Sequence, residues 1–222
     1  MSGYQLVYAD PAWGYRDKNT NGNRGAACKY PVMSADQIAG MPVAGHVADD
    51  AVLALWATWP LMPDALRVMS AWGFEYRTCA FLWAKTRTKA KQGRAFRSAV
   101  RRLGHGLAAT RDLWAAAAPL VLPSLHCGLG HHTRGNTEPV LLGIRGRGLP
   151  RLDKGVRQLV LSPLRDHSRK PGEVRHGLGR LYGDDVRRIE LFARGEVPGW
   201  DTWGHDADAP VALDLEPKEA AT

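Results

Sequence analysis

The chain has 222 residues, enough for one substantial core and short for two independent ones. Hydrophobic residues make up 45% and charged residues 23%, a balance that excludes disordered and fibrous classes. Thirty Lys+Arg against 22 Asp+Glu leave a formal charge of +8 and a pI near 9.7, which suits a polyanionic partner because phosphate contacts release counterions.

Gln5 to Ala9 reads as a short buried strand that stops at Asp10-Pro11. Residues 14–29 are rich in Gly, Asn and charge and read as a loop. Ser34 with Gln37 fits a capping box that opens a short helix through about Gly40. Ala51 to Ala57 is a continuous apolar run, as in a strand buried on both faces. Pro60 to Trp72 reads as a helix with Leu61, Ala65, Leu66 and Met69 on one side and Gly73 as its stop. Tyr76 to Trp83 is a further strand, and strand–helix–strand in this rhythm indicates a parallel α/β sheet.

From Lys85 to Arg102 there are eight Lys/Arg and no acid. Phe96, Val100, Leu103 and Leu107 recur at helical spacing, so a basic amphipathic helix is expected near residues 92–103. A second short helix is expected over 112–122. Arg94, Arg97 and Arg101 would then project as one stripe able to track a phosphate backbone, in a segment mobile until nucleic acid binds. The regular pattern resumes with strands at Val140 to Arg145 and Gln158 to Leu161. A helix runs from Lys170-Pro171 to about Tyr182, a strand from Arg188 to Ala193, and Trp200 to Gly204 closes the ordered part. The tail from Ala207 to Thr222 mixes Pro, Ala and acid and is expected to be disordered.

Cys28, Cys79 and Cys127 are odd in number and form no Cys-x-x-Cys unit, which points to reduced thiols in a cytoplasmic protein. The N-terminus shows no signal-peptide layout, and no apolar run approaches the roughly 20 residues of a membrane span. His126, Cys127, His131 and His132 lack a second ligand pair at recognisable spacing, so no metal is expected. Gly177-x-Gly179-x-x-x-Gly183 imitates a dinucleotide fingerprint but falls in or after a helix, with no strand before it.

Asp10-Pro11-Ala12-Trp13 carries the strongest chemical signal. Open α/β sheets hold ligands outside the carboxyl ends of their strands. An amine that attacks a methyl sulfonium needs its lone pair freed from ring conjugation. A carboxylate and a backbone carbonyl accepting its two N–H bonds achieve that. Pro11 stiffens the turn, and an aromatic ring beside it can stack on an extruded base.

The motif resembles the [DNS]-P-P-[YFW] signature of amino-methyltransferases, with Ala12 in place of the second Pro. Lys29-Tyr30-Pro31-Val32-Met33-Ser34, Trp83-Ala84-Lys85-Thr86 and His132 to Glu138 resemble the MT-A family, named for the seventy-kilodalton subunit of the mRNA adenosine methyltransferase. So do His167-Ser168-Arg169-Lys170-Pro171, Ile189 to Arg194 and Gly199-Trp200-Asp201-x-Trp203-Gly204, in the family's order, over roughly residues 5–88 and 127–206. The family's Gly-Asn after the last Trp is here Gly204-His205, and residues 89–126 look like an inserted or diverged basic segment.

The resemblance implies one Rossmann-like methyltransferase domain over residues 1–206. Its motif order is circularly permuted, with the catalytic strand first and the cofactor strand near the C-terminus. It implies S-adenosylmethionine as cofactor and the N6 amine of adenine as acceptor. DNA is the expected substrate, as in bacterial and phage relatives. The alternatives are an RNA adenosine methyltransferase or an inactive nucleic-acid-binding subunit. Carried over by position, Asp10, Pro11 and Trp13 are catalytic. Tyr30 and Glu138 contact the adenine or line its entrance. Asp10, Lys170, Glu190, Arg194 and the pair His205-Asp206 surround the cofactor. The bland alternative for Glu190 is a surface ion pair with Arg187 or Arg188.

Overall fold

A computed structural model describes residues 3–14, 32–87, 125–126, 128, 132–165, 169–204, 207 and 210–215. Their strands are β1 (Tyr4–Ala9), β2 (Val47–Trp56), β3 (Glu75–Thr86), β4 (Thr137–Arg145), β5 (Leu159–Pro163), β6 (Arg188–Leu191) and β7 (Asp201–Trp203). Helices α1 (Ala35–Ala39), α2 (Met62–Ala71) and α3 (Gly172–Tyr182) accompany them. Hydrogen bonding orders the strands β5-β3-β4-β2-β1-β6-β7. β1 pairs in parallel with both β2 and β6, β6 with β7, and β3 with β5, while β4 runs antiparallel to β2. This is a mixed, mostly parallel α/β sheet of the Rossmann-like type. The permuted order is visible in β1 itself, whose neighbour β6 lies near the other end of the chain.

The chain divides into two compact units. One comprises Met1–Phe81, Pro139–Gln158 and His176–Thr222, the other Leu82–Glu138 and Leu159–Arg175. In the first, Val7 and Ala9 of β1 and Leu53 and Leu55 of β2 form one buried layer with Ile38 of α1 and Val68, Met69 and Trp72 of α2. Leu6, Tyr8, Val52, Ala54 and Trp56, on the alternate positions, are equally buried. Covering on both faces is why the central strands read as unbroken apolar runs.

Local signals act as expected at several ends. Ser34 Oγ accepts from Gln37 N, and Gln37 Oε1 accepts from Ser34 N, a complete capping box. Trp72 donates its indole N–H to Ile38 O at 2.9 Å, stitching α1 to α2. The buried stripe of α2 is Ala65, Val68 and Met69, with Leu66 exposed rather than buried. Gly177 lies within α3, where a Cβ would meet the Phe81 ring at 2.8 Å. That glycine serves close packing.

Two expectations are corrected. The strand foreseen to Ala193 ends at Leu191, because Phe192 takes φ 63° and turns the chain out of the sheet. The tail foreseen as disordered from Ala207 is packed over 210–215. Val211 N donates to Thr202 O, and Leu215 is 1% exposed against the core. Val211, Leu213 and Leu215 alternate and all three pack on the core, a pattern hidden by the Pro, Ala and acid around it. The expected helices at 92–103 and 112–122 lie outside the described residues.

Candidate active site

In the first unit the carboxyl end of β1 delivers Asp10-Pro11-Ala12-Trp13. Asp10 N donates to Leu191 O of β6 at 3.4 Å, so the motif starts beside the end of the strand expected to hold cofactor. Trp13 N donates to Pro11 O at 2.9 Å, a tight turn that occupies one of the carbonyl's two lone pairs. Met33 N donates to Ala12 O and Gly14 N to Met33 O, bracing the turn against the residues that lead into α1.

Trp13 was expected to shape the pocket of an extruded base, where an aromatic ring can also stack on it. Trp13 is 6% exposed within the core, and its Nε1 donates to Trp56 O at 3.1 Å. A ring so enclosed holds the turn's shape from behind. Trp56 in turn donates its Nε1 to the Tyr8 hydroxyl at 2.6 Å, and Tyr8 meets Trp200 edge-on with ring centroids 6.0 Å apart. A belt of aromatic side chains thus backs the carboxyl end of β1.

Glu190 sits on β6 opposite Tyr8 and Thr202 and is 7% exposed. Arg188 is engaged by Asp184 and by Gly199 O, and Arg187 reaches Asp201. That burial sets Glu190 apart from an ordinary surface carboxylate. Phe192 follows, the one non-glycine residue with positive φ among the described residues, with its ring edge-on to Trp203 at 5.8 Å. Ala193 N donates to Trp203 O, and a Cβ on Gly204 would lie 2.6 Å from Ala193 N, so only glycine fits that approach. Arg194 follows, half-buried. A pocket of about 500 Å³ is lined by Glu196, Val197, Trp200, Asp201 and Val211 among others, and among the described residues it touches none of those expected at the cofactor. It is not assigned to them.

In the second unit Glu138, at the start of β4, lies between two lysines. Lys85 Nζ is 2.5 Å from Oε1 and Lys170 Nζ is 3.2 Å from Oε2. Lys85 also lies over the Trp83 ring, 5.2 Å from its centroid. Burial pushes the Glu138 carboxyl up, but the two ammonium groups outweigh it and hold the group below its ordinary value. Glu138 is therefore a fixed anion, and Lys170, expected among the cofactor residues, is tied to an expected substrate residue.

The structure thus places Asp10, Pro11, Trp13, Glu190 and Arg194 in one unit and Glu138 with Lys170 in the other. Tyr30, His205, Asp206, Arg94, Arg97 and Arg101 lie outside the described residues. Sequence reasoning missed Phe192, although the motif from Ile189 to Arg194 contains it, because a positive φ leaves no mark on composition. Lys85 stood out in the sequence as one charge of a basic run and as part of the Trp83–Thr86 motif, with no role of its own assigned.

A sequence profile of the MT-A70 family matches residues 4–104 and 121–206. The chain is also similar to the type II methyltransferase M.MunI of a Mycoplasma species, 31% identical over 218 residues that cover 90% of this chain and 76% of the relative.

Proposed function

Because the chain belongs to the MT-A70 family and is a methyltransferase, we propose that it transfers a methyl group from S-adenosylmethionine to the N6 amine of adenine in DNA. The observation that carries this reading is the Asp10-Pro11 turn at the end of the central strand β1, braced by Trp13 and hydrogen-bonded to the end of β6. The donor set next to it suits the cofactor. Glu190 is a buried carboxylate near the end of a parallel strand, the position from which α/β folds accept from ribose hydroxyls. Arg194 follows on the turn beyond Phe192, and the family resemblance assigns Lys170, His205 and Asp206 to the cofactor as well. S-adenosylmethionine, when bound, supplies an electrophilic methyl carbon on a sulfonium that leaves as a neutral thioether.

The chain's own task is placement. Asp10 accepts one N–H of the adenine amine, and the remaining lone pair of Pro11 O accepts the other, which turns the nitrogen lone pair out of conjugation. The bound cofactor would supply the methyl group to that lone pair and would leave with the carbon–sulfur electron pair. Asp10 then accepts the proton that the methylated nitrogen sheds. Positioning and charge complementarity carry the acceleration, without covalent catalysis. Tyr30 and Glu138 belong to the adenine side, Glu138 by fixing Lys85 and Lys170, and Arg94, Arg97 and Arg101 to the phosphate backbone.

The test is radiolabelled methyl transfer to unmethylated DNA and to RNA of matched sequence, followed by nucleoside analysis. N6-methyladenine in the DNA is expected, and Asp10→Ala should lower the rate by at least about a hundredfold while the protein stays folded. Label found only in RNA would move the substrate. Undiminished turnover by folded Asp10→Ala would overturn the role given to Asp10.

A further inference from the structure

We propose that residues 211–215 form a strap that positions the cofactor side of the site, with Leu213 and Leu215 as positioning residues that hold Glu190 of β6 in place beside the Asp10 turn. The proposal rests on the cofactor reading above. β6 has four residues and β7 three, both shorter than the roughly five or six of an ordinary strand. Asp10 N reaches Leu191 O at 3.4 Å, beyond the usual limit of about 3.2 Å for a strong bond. So short a pair of strands, tied to the Asp10 turn by so long a bond, needs further support to hold its level. The strap supplies it within the same compact unit.

The strap reaches from β7 across β6 and β1 to the turn before β2. Val211 N donates to Thr202 O of β7 at 2.8 Å, and Thr202 is level with Glu190 in the pairing of β6 with β7. Leu213 and Leu215 share a small apolar cavity with Tyr4 and Val7 of β1 and with Ile189 and Leu191 of β6. Asp214 O lies 3.3 Å from His46 Nε2, just before β2 begins. Leu213 N bonds Val211 O and Leu215 N bonds Leu213 O, two tight turns that bring Leu215 to 1% exposure. Side chains alternate across a strand, so Ile189 and Leu191 lie on the face opposite Glu190. The strap therefore packs on both neighbours of Glu190 and leaves the carboxylate to the other face. A ligand-binding group must be held within roughly 0.5 Å of its productive place, and packing of its neighbours is what holds it.

The experiment compares the full chain with Leu215→Ala, Leu215→Met, Val68→Ala and a chain that ends at Pro210. Val68 is buried on α2, which packs on α1 and β2, and serves as the stability control. S-adenosylhomocysteine binding is measured by calorimetry, and hydrogen exchange of the amides of 211–215 is followed with and without that ligand. Leu215→Ala and the shortened chain should bind it about 5- to 150-fold more weakly. KM for S-adenosylmethionine should rise more than kcat falls, with DNA affinity unchanged. Leu215→Met should restore parental affinity, and Val68→Ala should melt earlier without losing affinity. Coupling is reciprocal, so bound S-adenosylhomocysteine should slow exchange across 211–215 by a similar factor. Parental affinity in folded Leu215→Ala, or exchange at 211–215 indifferent to the ligand, would overturn the proposal. So would an equal loss of affinity in Val68→Ala, which would reduce the strap to general stability. If the shortened chain does not fold, exchange in the parent decides. A parent that binds no S-adenosylhomocysteine, with or without DNA, would instead sink the cofactor reading itself, and this proposal with it.

Discussion

The indole N–H of Trp13 donates to the backbone carbonyl of Trp56 at 3.1 Å, tying the turn that carries Asp10 to the end of the neighbouring strand. Both residues are buried. Trp13→Phe keeps a ring of similar shape but leaves the Trp56 carbonyl without this donor, which costs about 1–3 kcal/mol. The expected outcome is a lower melting temperature together with a fall in kcat, because the turn loses its brace. Cofactor affinity should stay near the parent's. A stable Trp13→Phe protein with parental kcat would show that the bond is incidental.

Phe192 allows strain and function to be separated. A bulky residue in the left-handed region costs about 1–2 kcal/mol, and its edge-on packing on Trp203 returns about 0.5–1.5 kcal/mol. Phe192→Gly removes both, so thermal stability should change little. Phe192→Ala removes the ring and keeps the strain, so it should be the less stable of the two. Strained residues collect at sites of function, and this one stands between Glu190 and Arg194. Both variants should therefore bind S-adenosylmethionine about tenfold more weakly in calorimetry. Parental affinity in Phe192→Gly would reduce Phe192 to a feature of the fold.

The Glu138 clamp has a pH signature of definite sign. The two lysines hold the carboxyl below its ordinary value of 4.5. A depressed folded-state pKa contributes stability that is fully present above that value and is lost as pH falls through the lower, folded-state one. Thermal melts should therefore show a loss below about pH 4.5 that Glu138→Gln lacks. At neutral pH the same variant leaves two partly buried ammonium groups facing an amide. It should be less stable by about 1–3 kcal/mol, the three side chains keeping some exposure that moderates the loss. Identical acid-side slopes for parent and variant would mean that the clamp does not act as a unit.

What the sequence made legible follows the reach of each signal. Strand β1, the capping box at Ser34 and the helix to Tyr182 rest on local chemistry, and they stand where expected. β2 begins at Val47, four residues before the apolar run, because Asp49 and Asp50 sit among its first, partly exposed residues and hide the strand. The antiparallel direction of β4 is decided by pairing with distant β2, which no local pattern records. Among the site residues, Asp10 was legible because a carboxylate before proline at a strand end is chemically distinctive. The enclosure of Trp13 was not, since the same motif fits a ring facing ligand or core. The pairing of Lys170 with Glu138 joins residues 32 positions apart, and only the folded chain brings them together.

The basic segment is where sequence physics alone makes the sharpest demand. Lys85, Arg87, Lys89, Lys91, Arg94, Arg97, Arg101 and Arg102 fall within 18 residues without an acid among them. If Phe96, Val100 and Leu103 anchor one side of a helix, Arg94, Arg97 and Arg101 share another, three and four residues apart. Each cation taken away from a phosphate should reduce the slope of log affinity against log salt by about one unit. Replacing Arg94, Arg97 and Arg101 with Ala should therefore weaken DNA binding most at low salt and flatten its salt dependence by up to about three units. Cofactor affinity should be unchanged, because the cofactor carries no phosphate. The turnover rate at saturating DNA should also hold, since the charges act on encounter and grip and leave the amine's geometry to Asp10 and Pro11. A triple variant that tracks the parent across a salt series would show that these cations form a solvated face and that the backbone is held elsewhere.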